Sequence, residues 1–119
     1  MGSLLADRLF AAADPQEAED VKTLATEILE SGRSQLTVRD GQTVGEAVGR
    51  LSEQLGNVEK VAFGVFFNPS SPILMRDLAH IAQLAASLGT DVDFRWVYAS
   101  STICQENQVF VLALSMIKS

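Results

Sequence analysis

His80 and Cys104 are the sole histidine and the sole cysteine of this chain, and that sets the chemistry it can hold. One imidazole cannot build a histidine-based metal site, and it leaves a Ser/Cys-His-Asp arrangement little to work with. Cys104 follows Ile103 in a polar stretch with no neighbouring cation to favour a thiolate. It excludes an internal disulfide and suits a reducing compartment. Asp91 and Asp93 alternate with Arg95 along DVDFRWVY, the pattern of a solvated strand face on which the carboxylates can meet the guanidinium. Arg76 and Arg95 are the cations best suited to an anionic ligand at a subunit boundary. The segment Asn68-Pro69-Ser70-Ser71-Pro72 brings free helix amides to a strand end, which favours anions. Yet it has no glycine to let backbone approach a phosphate, and its prolines remove donors. It reads as a strand-to-helix corner. The sequence thus assigns no catalytic residue, metal ligand or cofactor.

The elements that must carry these residues follow from periodicity. SLLADRLFAA (3–12) suits a short helix capped by Ser3. A second helix runs over 14–30, with Asp14 as cap, Pro15 in the first turn and Glu17 reaching back. Its apolar face is Val21, Leu24, Ala25 and Ile28, and Gly32 stops it. SQLTVR (34–39) alternates as a short strand with Leu36 and Val38 on one side, and Asp40-Gly41 turns the chain. TVGEAVGRLSEQLG repeats the capping logic with Thr43 and Glu46, above a stripe of Val44, Ala47, Val48, Leu51 and Leu55. KVAFGVFF (60–67) is apolar on both faces, as a central strand is. Ser71 and Pro72 open a long helix whose seam is Leu74, Leu78, Ile81, Ala85 and Leu88, ended by Gly89. DVDFRWVY sets Val92, Phe94, Trp96 and Tyr98 on one face, and QVFVLALSM is a second central strand.

The expected fold is therefore α/β (α+β). Two N-terminal helices (1–31) precede a βαβαββ core (32–119) in a single domain (1–119), with a mixed four-stranded sheet. The first three strands, joined by helical crossovers, run parallel, and the last two form a hairpin. At 119 residues the chain is long enough to bury a core without staples. A net charge of −6 argues against nucleic acid or an anionic membrane as partner. No apolar run approaches the roughly 20 residues of a membrane span. The start lacks a basic region and carries Asp7 early, so it reads poorly as a signal peptide. The expected location is cytoplasmic.

VAFGVFFNPSSPILMRDLAHIAQLAASLGTDVDFRWVY, followed by ENQVFVLALS, is similar to the C-terminal domain of the tubulin/FtsZ superfamily. In that family an apolar strand, a polar loop, a helix, an extended segment, an acidic or amide-bearing loop and a final apolar strand follow in this order. EAEDVKTL resembles the family's segment that completes GTP hydrolysis on a neighbouring subunit. The resemblance would put Glu17 and Asp20 near its two acidic positions. Pro15 stands where the family has an asparagine. The glycine-rich nucleotide signature and the GTPase half are absent, so the resemblance implies no GTP binding by this chain.

The resemblance implies a non-enzymatic self-assembly or protein-interaction module, with a setting in cell division or the cytoskeleton. In the family the far sheet face is sheltered by parts that this chain lacks. An uncovered apolar face is an association site. The N-terminal helices are expected to cover part of it, and another copy or a filament-forming protein the rest. The interaction residues expected are Glu17, Asp20, Phe63, Phe94, Trp96, Arg76 and Arg95. The alternative is a small oligomeric enzyme of chorismate-mutase-like fold, with Arg76 or Arg95 meeting an anionic ligand at the subunit interface.

Overall fold

The computed structural model describes residues 10, 16–70, 74–101 and 104–118. Among them, helix α1 is Glu19–Glu30, α2 is Val44–Ser52 and α3 is Met75–Leu88. Strands β1 (Ser34–Gly41), β2 (Val58–Phe67), β3 (Asp93–Ser100) and β4 (Val109–Ile117) form one mixed sheet in the order β1-β4-β2-β3. The helix expected over 3–12, the caps at Asp14 and Pro15, and the helix start at Ser71-Pro72 lie outside the described residues, apart from Phe10.

β4 runs antiparallel to both β1 and β2, while β3 is parallel to β2. The first three strands therefore share one direction, as the crossovers require. The expected hairpin is not formed. β4 is apolar on both faces, and a strand of that kind is sealed only between two neighbours, so it lies between β1 and β2 rather than beside β3 at the margin. The 101–108 connection consequently crosses the end of β2. It is fastened there by the Ser101 amide donating to the Phe67 carbonyl at 2.8 Å. Asn68 Nδ2 adds a bond to the Cys104 carbonyl at 2.6 Å.

One sheet face is covered by α2 and α3. Val44, Ala47, Val48 and Leu51 of α2 meet Val61, Phe63, Val65, Val111 and Ala113 of the central strands. The Thr43 hydroxyl accepts from the Glu46 amide at 3.1 Å, as its spacing predicts. Helix α3 begins later than expected, with Asp77 Oδ2 accepting from the Leu74 amide at 2.8 Å. Its buried residues are Ile81 and Leu84, with Leu78, Ala85 and Leu88 half-buried and Leu74 exposed. The seam is thus centred nearer Leu84 than Ala85. Gly89, at φ +107°, ends the helix in a conformation that favours glycine.

The opposite face is covered by α1. Val21, Leu24, Ala25 and Ile28 are all buried against Ala62, Val97, Leu112 and Leu114, as the periodicity predicts. Burying a Val, Leu or Ile side chain of this kind contributes about 2 kcal/mol. Phe10 is fully buried on this face, and its ring lies 3.0 Å from where a Cβ on Gly64 would stand. Only a glycine admits the ring at that distance. The N-terminal helices were expected to cover part of this face, and α1 packs over β2, β3 and β4. On this face, among the described residues, Leu36 and Val38 of β1 remain exposed.

Candidate functional site

The β1 margin is built by alternation. Ile117 N–H donates to the Arg33 carbonyl at 3.0 Å, just before the strand, and the pairing continues in register to Gly41 opposite Val109. Antiparallel ladders alternate, so Gln35, Thr37 and Arg39 turn their backbone groups toward β4, and Ser34, Leu36, Val38 and Asp40 turn theirs outward. Among the described residues no strand lies beyond β1. Arg39 Nη1 donates to the Val38 carbonyl at 2.7 Å, and Arg50 Nη1 donates to that of Asp40 at 2.8 Å.

The side chains alternate as well. Thr37 is buried beneath α2, whereas Leu36 and Val38 point to the α1 side, opposite Leu114 and Leu112. Helix α1 does not reach them, and they stand 51% and 45% exposed. This edge strand therefore shows two adjacent apolar side chains and a set of outward backbone groups, with no charged side chain between Ser34 and Val38.

A second feature lies between the carboxyl end of β1, helix α2 and the loop before β4. An open polar cleft of about 660 Å3 is lined by Asp40, Glu46, Arg50, Glu106 and Asn107 among others. Arg50 is engaged there by Glu46 at 2.7 Å, and the remaining carboxylates make the cleft acidic. A smaller neighbouring recess of about 280 Å3 holds Arg76 and Asp77 beside Phe67 and Leu74.

The residues singled out in the sequence are scattered rather than gathered. Arg76 lies at the start of α3, on the α2/α3 side. Arg95 lies in β3, with Nε and Nη2 on the two Asp93 oxygens at 3.1 and 3.2 Å and Nη1 on the Asp20 carbonyl at 3.4 Å. The Asp93–Arg95 pairing expected from alternation is present. Arg76 and Arg95 do not converge within one chain, but Asp20 and Arg95 meet. Glu17 is exposed just before α1.

Phe63 is fully buried, its ring 5.6 Å from that of Phe94, so it is a core residue of the folded chain and offers no contact surface. Phe94 and Trp96 are half-buried along β3, with Trp96 5.8 Å from Tyr98. His80 packs against α2, its Nε2 2.8 Å from where a Cβ on Gly45 would stand. Cys104 is buried, and desolvation pushes its thiol pKa up, partly offset by a hydrogen bond with the Phe110 backbone. A raised pKa keeps it protonated and unreactive.

Sequence reasoning placed Leu36 and Val38 on one strand face but did not single them out. The available signal was their isolation: two large apolar residues among Ser34, Gln35, Arg39 and Asp40 mark an edge strand rather than a central one. Among the described residues, no three His, Cys, Asp or Glu side chains are grouped to hold a metal ion. No helix among them is long and apolar enough to cross a membrane.

No protein-family model matches the chain, and no curated protein matches it. Among solved structures, it is similar to the crystal structure of the hydrogenase maturation protein HypE in complex with ATP. That likeness has a TM-score of 0.40 at 12% identity and covers 94% of this chain. The chain spans 40% of that protein's length.

Proposed function

We propose that this chain is a non-enzymatic self-assembly module whose contact surface is the β1 edge. The observation that carries the reading is the pair Leu36 and Val38, half exposed on an edge strand with outward backbone groups. Edge strands of this kind template pairing with another chain, and pairing would remove the two side chains from water. The tubulin/FtsZ C-terminal-domain likeness belongs to this proposal, as do a cytoplasmic location and a setting in cell division or the cytoskeleton. Size-exclusion chromatography with light scattering tests it. The unaltered chain elutes as an oligomer, and Leu36→Lys with Val38→Lys elutes as a monomer; a monomeric unaltered chain at high concentration overturns the reading.

A second reading, a small oligomeric enzyme with an anionic-ligand site, draws on Arg76 in its recess beside Phe67 and Leu74. A thermal-shift screen of small anionic metabolites separates the two, because a specific ligand raises the melting temperature. The assembly reading expects no such shift. A shift abolished by Arg76→Ala would favour the enzyme.

A further inference from the structure

We infer that the partner at this edge is a second copy of the chain, paired antiparallel β1 to β1 about a two-fold axis at Thr37, so that two four-stranded sheets become one of eight. The inference rests on the self-assembly reading and adds the register.

The register follows from alternation and charge. The outward backbone groups belong to Ser34, Leu36, Val38 and Asp40, so any pairing must set even-numbered residues opposite even-numbered ones. Three registers keep most of the strand paired. Centred on Leu36, the strand sets Arg39 directly across from Arg33 of the second copy, and like charges facing each other destabilise a sheet. Centred on Val38, it sets the carboxylate of Asp40 against the apolar Leu36.

Centred on Thr37, the strand sets Leu36 against Val38 twice, closing a four-residue apolar cluster from the two exposed pairs. Gln35 then faces Arg39, Ser34 faces Asp40, and Thr37 faces itself. No like charges oppose one another. Cross-strand Thr–Thr and apolar pairs are favourable at such positions.

The two arginines at the edge fit this arrangement. In the single chain Arg39 occupies the Val38 carbonyl and Arg50 that of Asp40. On pairing, those acceptors pass to the Leu36 and Ser34 amides of the second copy. The freed Arg39 guanidinium reaches the amide oxygen of the facing Gln35. Helix α1 packs over β2, β3 and β4, so the margin lies clear of it.

Disulfide trapping of single-cysteine variants, made in a chain whose own Cys104 is replaced by alanine, tests the register. In the Thr37-centred pair, facing Thr37 residues form a non-hydrogen-bonded pair with Cα atoms about 4.5 Å apart, within disulfide reach. Oxidised Thr37→Cys is expected to run as a covalent dimer on a non-reducing gel, while Leu36→Cys and Val38→Cys stay monomeric. Adding Leu36→Lys to Thr37→Cys should abolish the band. Because Thr37 is buried and its variant can fail to fold, hydrogen exchange of the unaltered chain gives a second readout. The Leu36 and Val38 amides are expected to become protected as concentration rises. A cross-link at position 36 or 38 instead of 37 overturns the register and leaves the self-assembly reading standing. A chain that stays monomeric, with those two amides unprotected at every concentration, overturns both.

Discussion

Leu36 on β1 stands directly opposite Leu114 on β4, yet Leu36 is 51% exposed and Leu114 is 1% exposed. The two side chains point to the same face of the sheet, and α1 ends its cover between them. Apolar surface in that position is the open feature on which the functional reading turns. The acidic cleft at the carboxyl end of β1 is polar instead, and its Arg50 is already engaged by Glu46.

Gly64→Ala is expected to destabilise the fold by about 1–3 kcal/mol, because the new methyl meets the rings of Phe10 and Phe66 at 3.0 Å. Chemical denaturation of the variant measures this. An unchanged midpoint would mean that Phe10 is not held over β2.

Asn68→Ala removes the side chain that fastens the crossing connection to the end of β2. The expected loss is about 1–2 kcal/mol, the cost of leaving a part-buried carbonyl without its donor. Hydrogen exchange should quicken across residues 104–108, while the amides of β1 keep their protection.

Much of this arrangement was legible in the sequence, for identifiable reasons. Val21, Leu24, Ala25 and Ile28 fall at helical spacing and are buried together, and Thr43 with Glu46 caps a helix where the pattern places one. β4 was readable as central because both of its faces are apolar. Its partners were not, since pairing depends on non-local contacts, and the 101–108 connection is long enough for a hairpin or for a crossing over β2. Phe63 illustrates a different limit. Its composition signal is the same for a contact surface and a core, and only the depth of β2 between β4 and β3 decides. The edge at Leu36 and Val38 required knowing that β1 lies at the margin.

Thr43→Ala should cost about 1 kcal/mol through loss of the cap at the first turn of α2. Thr43→Asp, which keeps an acceptor at the same position, should restore most of it. Thermal melts of the two variants beside the unaltered chain decide whether the cap acts through that oxygen.

The buried Cys104 thiol makes stability fall at alkaline pH. Its pKa is raised by burial in the folded chain, so above the ordinary thiol pKa the unfolded chain loses a proton that the folded chain retains. The contribution is fully present below that ordinary value, and it declines as pH rises until the folded thiol ionises. Urea midpoints of the unaltered chain should fall more steeply than those of Cys104→Ala across that window. Alkylation by iodoacetamide at neutral pH should be slow until urea unfolds the chain.

Sedimentation equilibrium over a wide concentration range, on the unaltered chain and on Leu36→Lys with Val38→Lys, decides whether β1 joins two copies. Both side chains are about half exposed, so each substitution should cost the single chain about 1 kcal/mol, and a thermal melt confirms that the variant is folded. A dimer mass is expected for the unaltered chain and a monomer mass for the folded variant. A monomer in both, or a dimer in both, would contradict pairing through β1.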